Sequence, residues 1–293
     1  MYIMQKSLKS ILCGAALIGS LSLSGCMSTS GFNNRSLESR HAVARSLAVG
    51  GGMVRQDIRT PQFTLASWQR VTDAAQPVHI YIEGDGLAWI TKSRPSANPT
   101  PTDPVALRLA AADGHANVIF LARPCQYMPG KTPGGRCSRD YWMGKRYARD
   151  VIQSYQSALD QIQQTHQFPE IHLIGFSGGA NIAGLLAAER DDINSLRTVA
   201  GNVDNDFFTK FHKVSAMPLS LNMADEAHKL TDMPQRHFVG GKDKFVPKDI
   251  YRSYERKLRR FDPALSCNAL TFRESQNHTD GWAAQWPTLL ALP

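Results

Sequence analysis

The sequence reads as an α/β protein: a mostly parallel sheet with helices covering both faces. Short apolar runs such as 78–82, 118–121 and 171–175 alternate with segments of helical period, the pattern of strands joined through crossover helices. Those runs are predominantly apolar, as expected of strands in a sheet covered on both faces. The 293 residues are 42% hydrophobic and 20% charged, enough apolar material for one sizeable core, and no linker or repeat divides the body.

The elements follow in order. Lys6 and Lys9 precede a charge-free apolar run over 11–23, the layout of a secretory signal and too short to span a bilayer comfortably, so residues 1–25 are set apart from the fold. Residues 26–60, rich in Ser, Gly, Arg and Asn without a sustained period, read as a tether, and residues 61–293 as a single domain. Residues 63–68 alternate like a strand, and after a turn at 73–77 the run Val78–Ile82 reads as a more buried one. Glu83-Gly84-Asp85-Gly86 and a proline-rich loop to Pro101 come next. Asp103-Pro104 offers an N-cap and first-turn proline for a helix to about Ala112, followed by a strand at 117–122.

A helix is expected from about 141 to 166, with Val151, Ile152, Tyr155, Leu159 and Ile162 inward, stopped by Pro169. The strand at 171–175 runs into a small-residue helix just beyond Ser177. Strands are expected at 196–203, 236–240 and 269–273, and a last helix from about Trp282. In 251–261, Tyr251, Tyr254, Leu258 and Phe261 share a helical face that reads as core. Arg252, Arg256, Lys257, Arg259 and Arg260 lie opposite, a solvated basic face or one that rests on anionic lipid.

Chemistry concentrates at Gly175-Phe176-Ser177-Gly178-Gly179, a GxSxG pattern set between an apolar strand and a small-residue helix. Glycines two before and two after the serine permit a turn too tight for bulkier residues, and the turn lifts the hydroxyl above the sheet. The helix that follows aims backbone N–H groups and a positive partial charge at a developing oxyanion. A serine hydroxyl also needs a neutral imidazole to take its proton and a carboxylate to fix that imidazole's tautomer. His79, His172 and His237 sit within strands, where a structural hydrogen bond is the expected role; His278 occupies the terminal loop.

From about Phe63 to its C-terminus the chain resembles the α/β-hydrolase superfamily, whose nucleophile, acid and histidine occur in that order. The resemblance implies Ser177 as nucleophile, Asp243 as the acid after a late strand and His278 as the base after the final strand. Asp204 and Asp206 are the fallback acids, and Asp225, Asp232 and Asp280 read as caps or surface residues. The superfamily draws its second oxyanion donor from the loop after an early strand, often written HGGG, which here reads Glu83-Gly84-Asp85-Gly86. The resemblance thus assigns the backbone N–H of Gly178 together with that of Asp85 or Gly86. Two carboxylates stand where the pattern has His and Gly: pointing inward they oppose the oxyanion, and turned away they brace the loop. A third option is that Asp85 stays protonated or receives a cationic substrate group.

Phe207, Phe208, Phe211, Met217, Leu219, Leu221 and Met223 occupy the place where relatives carry cap segments, and read either as core or as pocket wall. Trp89 and Trp282 flank the two expected catalytic loops and read either as pocket wall or as ordinary packing.

Leu23-Ser24-Gly25-Cys26 resembles the lipobox of bacterial lipoproteins, which implies acylation of Cys26 and anchorage to a membrane. Met27 after the cysteine resembles the pattern of outer-membrane lipoproteins, so a periplasm-facing protein is expected. Without residues 1–25 the chain carries 31 basic and 25 acidic residues, a mild +6. An oxidising compartment preserves disulfides, and Cys125 and Cys137, bracketing a short Pro/Gly-rich segment, are the expected pair, with Cys267 left over. No second CxxC or clustered His points to zinc, and no cofactor is expected. No nucleic-acid motif accompanies the basic residues. The sequence leaves oligomeric state open. The expected function is membrane-anchored serine hydrolysis of a small-molecule or lipid carboxylic ester; acyl transfer or amide cleavage by the same groups, and a non-catalytic binding or scaffolding role on this fold, stay open.

Overall fold

The computed structural model describes residues 36–91, 93–130 and 135–293; the expected signal segment and Cys26 lie outside them. Its strands are β1 (Val54–Arg55), β2 (Ile58–Arg59), β3 (Thr64–Leu65), β4 (Ser67–Val71), β5 (Val78–Ile82), β6 (Trp89–Thr91), β7 (Arg94–Pro95), β8 (Asn117–Leu121), β9 (Ile171–Phe176), β10 (Ile193–Val199), β11 (Gln235–Gly240) and β12 (Asn268–Arg273). The helices are α1 (Leu37–Gly50), α2 (Val105–Ala112), α3 (Arg149–His166), α4 (Gly178–Glu189), α5 (Asn205–Phe211), α6 (Lys248–Leu258) and α7 (Trp282–Leu290).

Among the described residues, eight strands form the central sheet in the order β1-β4-β8-β5-β9-β10-β11-β12. β4 is antiparallel to β1 and β8, and every pairing from β8 through β12 is parallel. This is the α/β-hydrolase fold that the sequence led us to expect. β5 and β8 are buried at every residue, which is why their runs are predominantly apolar, with His79 hydrogen-bonded to Asp113. Side chains alternate across β5: Val78, Ile80 and Ile82 join a core shared with α3, α4 and α6, whereas Tyr81 joins the core on the other face with α1, α2 and α7.

Several expectations need correction. The stretch read as a tether carries α1 from Leu37, capped by the Ser36 hydroxyl, which accepts the Ser39 N–H at 3.1 Å. Its buried residues are Ala44 and Ala48. The chain then packs so tightly on α2 that a Cβ at Gly51 would lie 2.7 Å from Ala111 Cα. A helix seated through alanines leaves little hydrophobic period to read.

The helix expected from 141 is a 3-10 turn (Arg139–Trp142) followed by an irregular stretch, and α3 begins only at Arg149. That break delivers Arg146 and Tyr147 to Asp85, at the end of the sheet beyond β5. Asp103 does not cap α2; the cap position is Pro104, and Asp103 pairs with Arg108. β10 ends at Val199, so 200–203 lie beyond it. In α6, Tyr251, Tyr254 and Leu258 are buried as expected, but Phe261 follows the helix end and is 58% exposed. No described helix is long and apolar enough to cross a membrane.

The structure joins Cys125 to Cys137, with Cα atoms 5.5 Å apart across 12 residues of sequence, and leaves Cys267 free. Closing so short a loop limits the unfolded chain. The paired substitution Cys125→Ser/Cys137→Ser is expected to lower unfolding stability by about 3 kcal/mol in denaturant titration of the oxidised proteins; an unchanged midpoint would show that the crosslink does not constrain the chain.

Candidate active site

Ser177 stands between β9 and α4 with φ 50° and ψ −119°, a conformation costly for any residue with a Cβ. Its neighbours leave it no alternative. A Cβ at Gly175 would lie 2.5 Å from Ala180 Cα, and one at Gly179 would lie 2.3 Å from the Ile82 carbonyl oxygen, so the chain turns sharply only because both positions are glycine. Backbone bonds fix the turn from both sides: the Ser177 N–H donates to the Val199 carbonyl at 3.0 Å, and the Ser177 carbonyl accepts from the Asn202 N–H at 2.9 Å.

Ser177 Oγ lies 3.0 Å from His278 Nε2, and His278 Nδ1 lies 2.8 Å from Asp243 Oδ2. Since the carboxylate only accepts, Nδ1 carries the imidazole proton and Nε2 is left to accept from the serine hydroxyl. The other carboxylate oxygen of Asp243 accepts the N–H groups of Phe245 and Val246, each at 2.8 Å, so the acid is held at both ends and its side chain is fully buried. The His278 ring is packed between Phe176 and Phe245, with centroids 5.2 and 4.9 Å away. Its loop is set by Asn277, whose side-chain oxygen accepts the Thr279 and Asp280 N–H groups at 2.9 and 2.7 Å, and whose carbonyl accepts from the Trp282 indole at 2.9 Å.

The fallback acids do not join this group. Asp204 caps α5 through the Phe207 N–H and accepts from the Ser253 hydroxyl; Asp206 is exposed in the first turn of that helix. Asp225 pairs with Lys257, Asp280 accepts from Asn277, and Asp232 is exposed. His79 bonds Asp113 at the end of α2, and His172 and His237 bond Ser195 and Thr198 of β10 across the sheet.

The Glu83–Gly86 loop passes directly over the serine: a Cβ at Gly84 would lie 3.1 Å from Ser177 Cβ. Gly178 is the first residue of α4, so its N–H has no partner within the helix. Both carboxylates of the loop are turned to bracing roles. Glu83 Oε1 accepts the Gly84 N–H at 2.9 Å and the Ala106 N–H at 3.4 Å, at the start of α2. Burial pushes the Glu83 carboxyl up to about 7, against the opposing pull of those backbone donors. Asp85 bonds Arg123 at 2.8 Å and Arg146 at 2.5 Å. Burial alone would raise its carboxyl, but the two guanidinium groups outweigh that and hold it below the usual carboxylate range. A protonated Asp85, or one left open to a cationic group, is therefore not what the structure presents. Gln126 ties the loop down by donating to the Gly84 carbonyl at 3.1 Å.

Beside Ser177 and His278 opens a pocket of about 330 Å³, walled by Leu87, Trp89, Phe176 and Phe245, with Asp85 and Arg146 on its polar side. Trp89 is 41% exposed at its mouth, whereas Trp282 is buried under the histidine loop. The expected cap segment divides: Phe208 and Met223 are core, and Phe211 and Leu219 are exposed. Sequence reasoning missed Arg123, Arg146 and Tyr147. They reach Asp85 from 38, 61 and 62 residues away, and no motif marks them.

No protein-family model matches the chain, and no curated protein matches it. Solved structures do match. The esterase Pf2001 of Pyrococcus furiosus superposes with a TM-score of 0.55 at 13% identity, covering 81% of this chain and 89% of that one. A putative α/β hydrolase from Agrobacterium tumefaciens gives 0.54 at 15% identity, with 81% and 94% covered. Est1E from Butyrivibrio proteoclasticus gives 0.54 at 13% identity, with 80% and 95% covered. The likeness establishes the α/β-hydrolase fold.

The Glu83 carboxyl makes stability fall with rising pH. An ordinary glutamate ionises near 4.5, and the folded chain holds this proton to about 7, so between those values the native state binds more protons than the unfolded one. The contribution is complete below 4.5 and lost as pH rises through 7, an effect of about 3 kcal/mol. Urea titrations at pH 5 and pH 8.5 should show Glu83→Gln flattening this decline; parallel declines in parent and variant would contradict it.

Proposed function

We propose that this protein is a lipid-anchored serine hydrolase of carboxylic esters, acting through an acyl-enzyme. The observation that carries the reading is the continuous run of contacts from Ser177 Oγ to His278 (3.0 Å) to Asp243 (2.8 Å), set on a strained turn beside a pocket. His278 takes the hydroxyl proton as Ser177 attacks the ester carbonyl, and Asp243 steadies the imidazolium that forms. The negative oxygen of the tetrahedral intermediate receives the N–H of Gly178 and that of Asp85 or Gly86. His278 returns its proton to the leaving alcohol. Water, deprotonated by the same imidazole, then releases the acid and frees the serine. Each step uses this chain's own groups and water.

The esterase among the structural neighbours supports an ester as the bond cleaved. Lipid on Cys26 holds the enzyme at the bacterial envelope, at the outer membrane facing the periplasm, where small-molecule or lipid esters are its substrates. His278 in register with Ser177 supports catalysis over a purely scaffolding role.

Rapid mixing with 4-nitrophenyl acetate tests this. A burst of nitrophenolate approaching one equivalent, then slower turnover, is expected from the parent. Ser177→Ala should remove both phases, and Asp243→Asn should cut the acylation rate by roughly 10³- to 10⁴-fold through the wrong imidazole tautomer. Turnover that survives Ser177→Ala would overturn the proposal.

A further inference from the structure

The polar wall of the Ser177 pocket carries more positive charge than bracing a loop requires. Asp85 is shared by two guanidinium groups, Arg123 at 2.8 Å and Arg146 at 2.5 Å, and one of them would suffice to neutralise it. The cluster therefore holds one net positive charge. Arg123 is the deeper member, with its side chain 5% exposed, its Nη1 on Asp85 and its Nη2 on the Arg146 carbonyl. Arg146 is the member that lines the pocket with Ser177 and His278. Its Nε donates to the Met143 carbonyl at 2.8 Å and its Nη1 to Asp85. These bonds fix the plane of the group, and with the Tyr147 hydroxyl also beside it at most three of its five N–H donors are engaged, so donor capacity is left for a bound molecule.

The other acids at the pocket do not cancel this charge. Glu83 is turned to the start of α2, and Asp103 is paired with Arg108. The lining also includes the apolar side chains of Trp89, Leu87 and Phe245. A pocket with one fixed cation and apolar sides suits a molecule that is itself apolar at one end and anionic at the other.

We propose that Arg146 forms an anion subsite within the Ser177 pocket, selecting esters that carry a carboxylate or phosphate group near the scissile bond. This substrate class rests on the hydrolase reading above. A planar, buried guanidinium held on two sides binds such oxyanions with two N–H donors and loses little freedom in doing so.

The test compares two esters with the same five-carbon acyl chain on the full chain in detergent: mono-(4-nitrophenyl) glutarate, which ends in a carboxylate, and 4-nitrophenyl valerate, which ends in a methyl group. The parent is expected to favour the glutarate ester in kcat/KM by about tenfold or more, the scale of one charge-assisted hydrogen bond. Arg146→Met should lower that ratio about tenfold and Arg146→Lys by less. The ratio cancels any general damage to the site. A parent that prefers the neutral ester, or a ratio unmoved by Arg146→Met, would overturn the proposal.

Inhibition of valerate hydrolysis by glutarate and by glycerol 3-phosphate, measured side by side, identifies which oxyanion the subsite takes; inhibition by neither contradicts it. If neither ester turns over, the hydrolase reading fails instead. The subsite is then judged by calorimetric titration of the same two anions into parent and Arg146→Met proteins: binding that depends on Arg146 upholds it, and no binding overturns it.

Discussion

The turn at Ser177 governs the geometry of everything around it. A residue with a Cβ is held at φ 50° and ψ −119° by close contacts on both sides, with the Ile82 carbonyl against Gly179 and the Ala180 backbone against Gly175. Strain of this kind, of order 1–3 kcal/mol, persists only where surrounding structure over-determines it. Here the surroundings are deeply buried: β5, β8 and β9 from the sheet, and α4 with ten buried residues in its twelve. Because the sheet is parallel from β8 to β12, the chain leaves β9 and β11 at the same end, and the loop after β12 joins them there. Serine, acid and histidine meet from sequence positions 66 and 35 residues apart without any long loop reaching across.

The same end of the sheet must also manage charge. Asp85 lies against Gly178, so close that a Cβ there would stand 2.1 Å from its carboxylate oxygen. An ionised carboxylate in that position would oppose a developing oxyanion. Two arginines reverse the local sign, and Tyr147 adds its hydroxyl at 3.3 Å. Glu83 solves the same problem differently: burial holds its proton up to about 7, and its Oε1 accepts the Gly84 N–H and the Ala106 N–H at the start of α2. One loop thus carries two acids made harmless by two mechanisms, pairing and protonation.

How far this was legible in the sequence follows from how local each feature is. Gly175, Ser177 and Gly179 are spaced by the turn itself, so the elbow could be read directly; β5 and β8 could be read because burial on both faces leaves them predominantly apolar. Asp243 and His278 became legible through their order after late strands. The ring of groups around Asp85 was not, because its members come from three separated segments and share no period. Helix α1 hid behind alanines, and the break before α3 hid because 141–148 has helix-compatible residues whose course is set by tertiary bonds, such as the Tyr147 N–H to the Ser220 hydroxyl at 3.1 Å. Phe261 fell on the helical face by count but past the end of α6 by structure.

Ser177 is expected to be chemically different from every other serine of the chain. Peptide mapping by mass spectrometry after brief treatment with a fluorophosphonate measures this directly. The expected result is a single adduct, on the peptide containing Ser177, that does not form in His278→Ala protein. An adduct on another residue, or none on natively folded parent protein, would contradict an activated Ser177.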